Sequence, residues 1–188
     1  MLSALVISCA VIFVAELGDK SQLMALAFAT RHRTGPVLIG ITVATAVVHL
    51  VSVVVGVLLG ATIPTRPIGV AAAVSFVAFG LWTLRGDSLS EQEEQRAERS
   101  GRHVVWTVGG AFFLAELGDK TMLATVTLAA SENWVGTWIG STVGMVAADA
   151  LAIVVGRKLG TRLPDRAVRY GAAAAFFAFA VWLFIDAL

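Results

Sequence analysis

The stretch FVAELGDKS, residues 13–21, places two acids and a lysine inside an apolar segment, and FLAELGDKT, residues 113–121, repeats the pattern 100 positions later. A charged residue at the centre of a membrane-spanning helix costs about 2.5–3.5 kcal/mol on insertion scales. Because both copies carry this cost at matching positions, we interpret them as a functional site. The alternative is a buried ion-pair network that only fixes helix register, but such pairs contribute little to stability.

The composition indicates an integral membrane protein. Of the 188 residues, 57% are hydrophobic and 14% are charged, whereas about 25% of residues are charged in typical soluble domains. The single cysteine, Cys9, excludes an intramolecular disulfide framework and a cysteine-based metal cluster. No basic region precedes the first apolar segment, so we expect a membrane helix there and not a cleaved signal peptide.

Six apolar segments are long enough to cross a bilayer. They lie near residues 2–28, 36–60, 67–84, 104–130, 134–156 and 168–186. The predicted fold class is therefore an all-α integral membrane protein with six transmembrane helices. The polar, mixed-charge stretch between the third and fourth segments predicts a solvated linker with room for a short helix.

The chain contains an internal repeat, because residues 13–87 align without gaps on residues 113–187. The matched pairs include Gly40 with Gly140, Pro64 with Pro164, Phe76 with Phe176 and Trp82 with Trp182. The chain is therefore a duplication. We predict a first three-helix repeat at residues 1–86, a cytoplasmic linker at 87–103 and a second three-helix repeat at 104–188.

Charge predicts the orientation of these helices. Outside the two motifs, lysine and arginine concentrate in the first, third and fifth loops, and only Arg66 lies elsewhere. The positive-inside rule then puts these three loops in the cytoplasm and both termini outside. Since each repeat has an odd number of helices, the repeats insert with opposite polarity. Inverted repeats are typical of secondary transporters, whose sites lie near the membrane midplane.

The motif acids are the candidate metal ligands. Glu16 and Asp19 are three positions apart, as are Glu116 and Asp119, so on a continuous helix each pair shares a face. We expect the two pairs to meet and to form an oxygen site for calcium, manganese or magnesium. With the two motif lysines the site carries a net charge of −2, which one dication neutralises. Carboxylates crowded in a low dielectric otherwise favour protonation, so cation binding would release protons.

Other polar residues of the motifs are candidate supporting groups. They are Lys20, Lys120, Ser21, Thr121 and Gln22. The lysines would hold the acids together when no cation is bound, and the hydroxyl and amide oxygens could add ligands. Met122 replaces Gln22 in the second repeat, so the two halves differ chemically, and we interpret Met122 itself as a packing residue.

Each motif also contains a glycine, Gly18 or Gly118. A glycine at this position allows the helix to unwind and expose backbone carbonyl groups. It equally allows the backbone of a partner helix to approach closely. The sequence does not favour one reading over the other.

A polar face follows the second predicted helix. It consists of Thr42, Thr45, His49 and Ser52. A lone histidine in a helix is more often a structural residue, and His49 is the candidate here for a supporting or proton-linked role. Asp149 occupies the equivalent position in the second repeat. Because it is an intramembrane aspartate with no nearby cation in the sequence, we interpret it as a ligand or a proton carrier.

The twin Glu-x-Gly-Asp-Lys-Ser/Thr motif in a duplicated six-helix chain resembles a known family. It is similar to the Golgi manganese/calcium–proton exchangers of eukaryotes and to the bacterial manganese exporters of the MneA and Mnx type, grouped with the LysE superfamily. The resemblance implies that Glu16, Asp19, Glu116 and Asp119 bind the cation. It implies proton-driven export of manganese, or of calcium, from the cytosol. The short linker and the absence of a long N-terminal extension suggest a multi-pass protein of a bacterial cytoplasmic membrane.

Other functions compete with this hypothesis. Export of a cationic or zwitterionic small molecule, as elsewhere in the LysE superfamily, uses the same kind of fold. An intramembrane aspartyl protease is disfavoured because Glu16 and Glu116 stand where its Gly-x-Gly-Asp pattern has glycine. A structural subunit is disfavoured by the two charged motifs. The expected partners are a divalent cation, protons and lipid, with no nucleic acid, no enzyme activity and no resident cofactor; a monomer and a homo-oligomer are both compatible with the sequence.

Overall fold

The computed structural model describes residues 1–85, 103–159 and 165–187, which form helices joined by short connections and contain no strand. The helices are α1 (Leu2–Glu16), α2 (Lys20–Arg31), α3 (Thr34–Thr62), α4 (Thr65–Arg85), α5 (Val104–Glu116), α6 (Lys120–Ser131), α7 (Trp134–Leu159) and α8 (Asp165–Ala187). The all-α prediction is confirmed. The predicted linker and its short helix fall almost entirely within 86–102, outside the described residues.

Three of the described helices are long and apolar enough to cross a membrane by themselves. They are α3, α4 over Arg66–Arg85, and α7 over Trp134–Arg157. The helices α1 and α2 provide a fourth span if the bent pair is counted as one. Two further stretches, α5 and Arg169–Ile185 of α8, are apolar but shorter. The protein is thus a membrane protein with several apolar helices.

The first and fourth predicted spans are not continuous helices, so the paired acids of each motif do not share the single helical face that a continuous helix would give them. Between α1 and α2 the axis bends by 75°. Each break is centred on a glycine in the left-handed region, with φ +77° at Gly18 and +80° at Gly118. A β-carbon at Gly118 would meet nothing within 4 Å. The second glycine is therefore required for its backbone conformation and not for a close helix contact.

The polarity of the helix surfaces suits a lipid environment. The face of α3 that carries Thr45, His49 and Ser52 is buried, with at most 1% of each residue exposed. The opposite face exposes apolar side chains such as Val47 and Leu58. In a protein surrounded by water this distribution would be reversed, whereas lipid solvates apolar side chains and excludes unpaired polar ones.

The first helix of each repeat packs against the other repeat. The α1 helix packs along α7 of the second repeat, and the equivalent α5 packs along α3 of the first. The α4 and α8 helices, which are equivalent to each other, pack together. The core of the molecule therefore forms between the repeats, and the two charged motifs are brought to the same region.

Glycines of the long helices allow this packing across the repeats. A β-carbon at Gly40 would lie 2.8 Å from the carbonyl oxygen of Val105, and one at Gly140 would overlap the backbone of the equivalent residue, Leu5. Small residues allow helix backbones to approach closely in membranes, where van der Waals packing and hydrogen bonds drive association. The same close contact thus occurs on both sides of the molecule.

Candidate cation site

The breaks place the motif acids at helix ends. Glu16 is the last residue of α1 and Asp19 is the N-cap of α2; Glu116 and Asp119 occupy the same positions around the second break. Within each break the aspartate backbone N–H donates to the glutamate carbonyl, at 3.1 Å in the first motif and 3.2 Å in the second. A helix C-terminus favours a cation and a helix N-terminus stabilises an anion. The ends of α1 and α5 therefore add negative potential near the glutamates.

Three of the four motif acids converge. Glu16, Asp19 and Glu116 each offer a carboxylate oxygen, and these atoms all lie within 4.8 Å of one another. Each of the three residues is at most 1% exposed. Both oxygens of Glu16 accept no hydrogen bond from the residues that the structure describes. Buried carboxylate oxygens without donors are rare in proteins, and a cluster of them from both repeats could hold a divalent cation.

A lysine of the second motif contacts this cluster. The Lys120 ammonium lies 2.6 Å from Oδ1 of Asp19, and both side chains are at most 2% exposed. The ion pair crosses from one repeat to the other.

Thr121 and Ser21 have different roles although they are equivalent. The Thr121 hydroxyl donates to Oε2 of Glu116 at 2.9 Å and leaves Oε1 of Glu116 without a donor among the described residues. The Ser21 hydroxyl is fully buried and has no hydrogen-bond partner in the described ranges. Thr121 therefore orients a carboxylate, whereas the Ser21 oxygen is available as a further ligand.

Asp119 and Lys20 lie around the cluster. Asp119 is 7% exposed and is not one of the three converging acids. Its negative charge acts on Glu116, as does the positive charge of Lys20, which is half-buried. The structure thus brings together three of the four acids predicted from the sequence and leaves Asp119 beside them.

Asp149 lies within electrostatic reach of both glutamates. It is fully buried, and neither of its oxygens has a hydrogen-bond partner among the described residues. His49, at the equivalent position of α3, is also buried, and neither ring nitrogen has a hydrogen-bond partner in the described part of the chain. One turn earlier, the Thr45 hydroxyl contacts the Met145 sulfur at 3.4 Å, so α3 and α7 meet at equivalent positions.

Gln22 does not point its oxygen toward the acids as a free ligand. Its amide group hydrogen-bonds with the backbone of Gly18 and of Ala148. At the equivalent position in the second repeat, the Met122 sulfur accepts the backbone N–H of Gly118 at 3.2 Å. Both side chains thus cap the backbone of their own break.

Arg157 makes a contact that its place among the predicted loop charges does not reveal. Its guanidinium donates to the carbonyl oxygens of Ala29 and His32, at the C-terminal end of α2. The signal for such a contact is weak in the sequence. The equivalent residue in the first repeat is Val57, so only comparison of the repeats marks Arg157 as different.

Membrane helices interrupted at charged motifs, with a buried carboxylate cluster between them, define the class of cation-transporting membrane proteins. A family model described as "Divalent cation/proton antiporter GDT1" matches residues 4–91 and 104–188. The chain belongs to this family of transporters and is not an enzyme.

Relatives from bacteria and plants support this assignment. A Vibrio cholerae protein named "Putative manganese exporter" is 31% identical over 184 residues, which cover 96% of this chain and 90% of that protein. A GDT1-like protein of Synechocystis is 31% identical over 96% of both chains. A chloroplastic GDT1-like protein of rice is 32% identical over 92% of this chain and 58% of its own length. No solved structure matches the chain.

Proposed function

We propose that this protein exports manganese from the cytosol in exchange for protons, at one site shared by the two motifs. Glu16, Asp19 and Glu116 bind the cation, with Asp119 completing the set in the course of transport. The observation that carries the proposal is the convergence of three buried carboxylates, two from one repeat and one from the other, within 4.8 Å. Hard oxygen ligands of this kind suit manganese, calcium and magnesium.

Coupling to protons follows from the burial of the acids. Several carboxylates cannot all remain ionised in a low dielectric without a compensating cation. A bound dication supplies that charge and displaces the protons, while loss of the cation lets them return. Asp149, within reach of both glutamates, is a carrier for one of these protons.

Manganese is preferred to calcium as the substrate because the Vibrio cholerae relative is named for manganese export. Calcium remains the second cation to test, since both ions accept carboxylate oxygens. A cationic or zwitterionic small molecule is the alternative substrate class. The cluster favours the metal, because three carboxylate oxygens within 4.8 Å of one another are the hard ligands that divalent cations prefer.

Transport should be measured in proteoliposomes that contain a pH-sensitive dye. Manganese, calcium and magnesium are added outside in turn, and ion uptake is followed together with internal pH. We expect manganese uptake with an equivalent outward movement of protons. Manganese uptake without proton movement would remove the coupling, and transport of an amino acid in competition with manganese would favour the alternative.

The matched variants exchange one carboxylate for an amide. Glu116→Gln removes a charge from the cluster and should abolish exchange with little effect on folding. Glu132→Gln makes the same chemical change in the connection after α6, away from the cluster, and should leave exchange unchanged. Full transport by Glu116→Gln would overturn the assignment of the site.

We further propose that the chain forms six spans as two inverted three-helix repeats, residues 1–86 and 104–188, with both termini outside a bacterial cytoplasmic membrane. The distribution of lysine and arginine supports this orientation. In this arrangement the interrupted pairs α1–α2 and α5–α6 are each one broken span. Transport then proceeds by movement of one repeat against the other around the fixed site.

The equivalent residues His32 and Glu132 test the inversion. Each is replaced by cysteine in a Cys9→Ala background, and intact cells are treated with a thiol reagent that does not cross the membrane. We expect labelling of Glu132→Cys in intact cells and labelling of His32→Cys only after permeabilisation. Labelling of both from the same side would show that the repeats are parallel.

A further inference from the structure

Gln22 connects the first motif to a helix of the other repeat. Its Oε1 accepts the backbone N–H of Gly18 at 2.9 Å, and its Nε2 donates to the carbonyl oxygen of Ala148 at 3.0 Å. Gly18 is the left-handed residue of the first break, and Ala148 precedes Asp149 in α7. One side chain thus bridges the backbone of the break and the backbone of α7.

The second repeat has no equivalent bridge at this position. Met122 accepts the N–H of Gly118, but a thioether has no hydrogen to donate to α3. The carbonyl of Val48, which corresponds to Ala148, instead accepts the hydroxyl of Ser52 on its own helix at 2.8 Å. Ser52 is in turn replaced by Ala152 in the second repeat. The motif with Gln22 thus occurs with Ala152 on the opposite helix, and the motif with Met122 occurs with Ser52 on the opposite helix.

We propose that Gln22 is a positioning residue that holds the first motif at a fixed distance from Asp149, and that it is not a cation ligand. Both polar groups of its amide are already engaged with backbone partners. This inference rests on the proposed cation exchange. It also makes the two motifs unequal, because at this position only the first motif is hydrogen-bonded to the opposite repeat.

The bridge acts on affinity by organising the site before the cation binds. Glu16 and Asp19 flank the Gly18 turn, and Asp149 follows the Ala148 carbonyl directly. A connection between these two backbone points reduces the freedom that the acids lose when they close on a cation. Its loss should weaken binding more than it slows the transport cycle.

The test begins with Gln22→Met, which gives the first motif the residue of the second. A methionine keeps an acceptor for the Gly18 N–H and removes the donor to Ala148. In proteoliposomes we expect the half-saturating manganese concentration to rise about fivefold, the effect of one typical hydrogen bond, while the maximal exchange rate stays within about twofold. An unchanged half-saturating concentration would overturn the proposal.

Adding Ala152→Ser tests whether Gln22 acts by positioning the first motif or only by donating a hydrogen bond to the Ala148 carbonyl. The new serine gives the Ala148 carbonyl a donor from its own helix, as Ser52 does for Val48, but it does not reconnect the break. We expect Gln22→Met to lower the thermal stability and the added Ala152→Ser to restore it. The half-saturating manganese concentration should stay raised in the double variant. Recovery of manganese affinity in the double variant would show a merely structural role.

The mirror variant keeps the proposal testable if Gln22→Met does not fold. Met122→Gln with Ser52→Ala frees the Val48 carbonyl and supplies an amide that can reach it from the second break. We expect its half-saturating manganese concentration to fall below that of the wild type, and an equal or higher value would count against the proposal. If the wild type itself exchanges no cation, the proposed function fails first and the role of Gln22 falls with it.

Discussion

The Lys120 ammonium of the second motif lies 2.6 Å from Oδ1 of Asp19 in the first motif. This ion pair joins the two repeats at the cation cluster, because Asp19 is one of the three converging acids. A divalent cation at the cluster would compete with the ammonium for the same carboxylate. Under the proposed function, the lysine would stabilise the acids without metal and would also limit how tightly the metal binds.

The ion pair should show strong coupling in a double-mutant cycle. Breaking a buried ion pair by removing one partner is destabilising, by up to about 3–5 kcal/mol. We expect Asp19→Asn and Lys120→Met each to destabilise the metal-free protein and the double variant to be more stable than the sum of the two predicts. Unfolding in a denaturing detergent measures all three. Additive losses would mean that the pair contributes no coupling to stability.

The Thr121 hydroxyl should affect cation affinity through Glu116. Because it donates to Oε2 of Glu116 at 2.9 Å, Thr121→Val frees that carboxylate to rotate. Groups that orient metal ligands change affinity by about 10–100-fold when removed, so we expect manganese binding to weaken by about tenfold.

Thr125→Val is the matched control for this change. The Thr125 hydroxyl is equally buried, but it donates to the backbone carbonyl of Thr121 at 2.8 Å and not to an acid. Its removal should leave manganese binding within about twofold. Equal losses in the two variants, measured by manganese titration of the purified protein, would assign the effect to general packing.

The second break should be sensitive to alanine at Gly118. This glycine has φ +80° and open space around a β-carbon, so the cost of Gly118→Ala is conformational, about 1–2 kcal/mol. Gly110 in α5 also has open space around a β-carbon, and there alanine should stabilise the helix by about 0.5–1 kcal/mol. Thermal unfolding of the two variants should therefore shift in opposite directions, and a shared sign would contradict the argument.

Arg157 should protect the end of α2. Its guanidinium donates to the carbonyl oxygens of Ala29 and His32, which have no partner within their own helix end. We expect Arg157→Met to speed amide hydrogen exchange in the last turn of α2. The control is Val57→Met at the equivalent position of α3, which should leave the end of α6 unchanged. Unaltered exchange in Arg157→Met would show that the contact does not hold α2.

Much of the architecture could be predicted from the sequence because it depends on local chemistry. Apolar composition predicted membrane helices, which the fold confirms. The two motifs and the matched glycines predicted a duplication, and Gly40 and Gly140 indeed make equivalent contacts. The burial of Glu16 and Glu116 agrees with their expected place inside the protein.

The interruption of the helix at each motif was one of two alternatives that the sequence left open. Three-residue spacing places Glu16 and Asp19 on one helical face only if the helix continues, and the left-handed conformation of Gly18 ends it. The sequence allowed unwinding and close approach equally, because glycine permits both. Only the neighbours of a glycine distinguish these cases, and those neighbours come from other helices.

The sequence by itself determined that this chain lies in a membrane, that it is a duplication and that each half carries two acids and a lysine in an apolar segment. The tertiary structure decided which of those groups meet. Asp19 pairs with the lysine of the other repeat and Gln22 reaches α7, over separations of 101 and 126 residues. Contacts across the repeats depend on which helices pack against each other. That choice depends on the packing of the whole fold, and no local pattern encodes it.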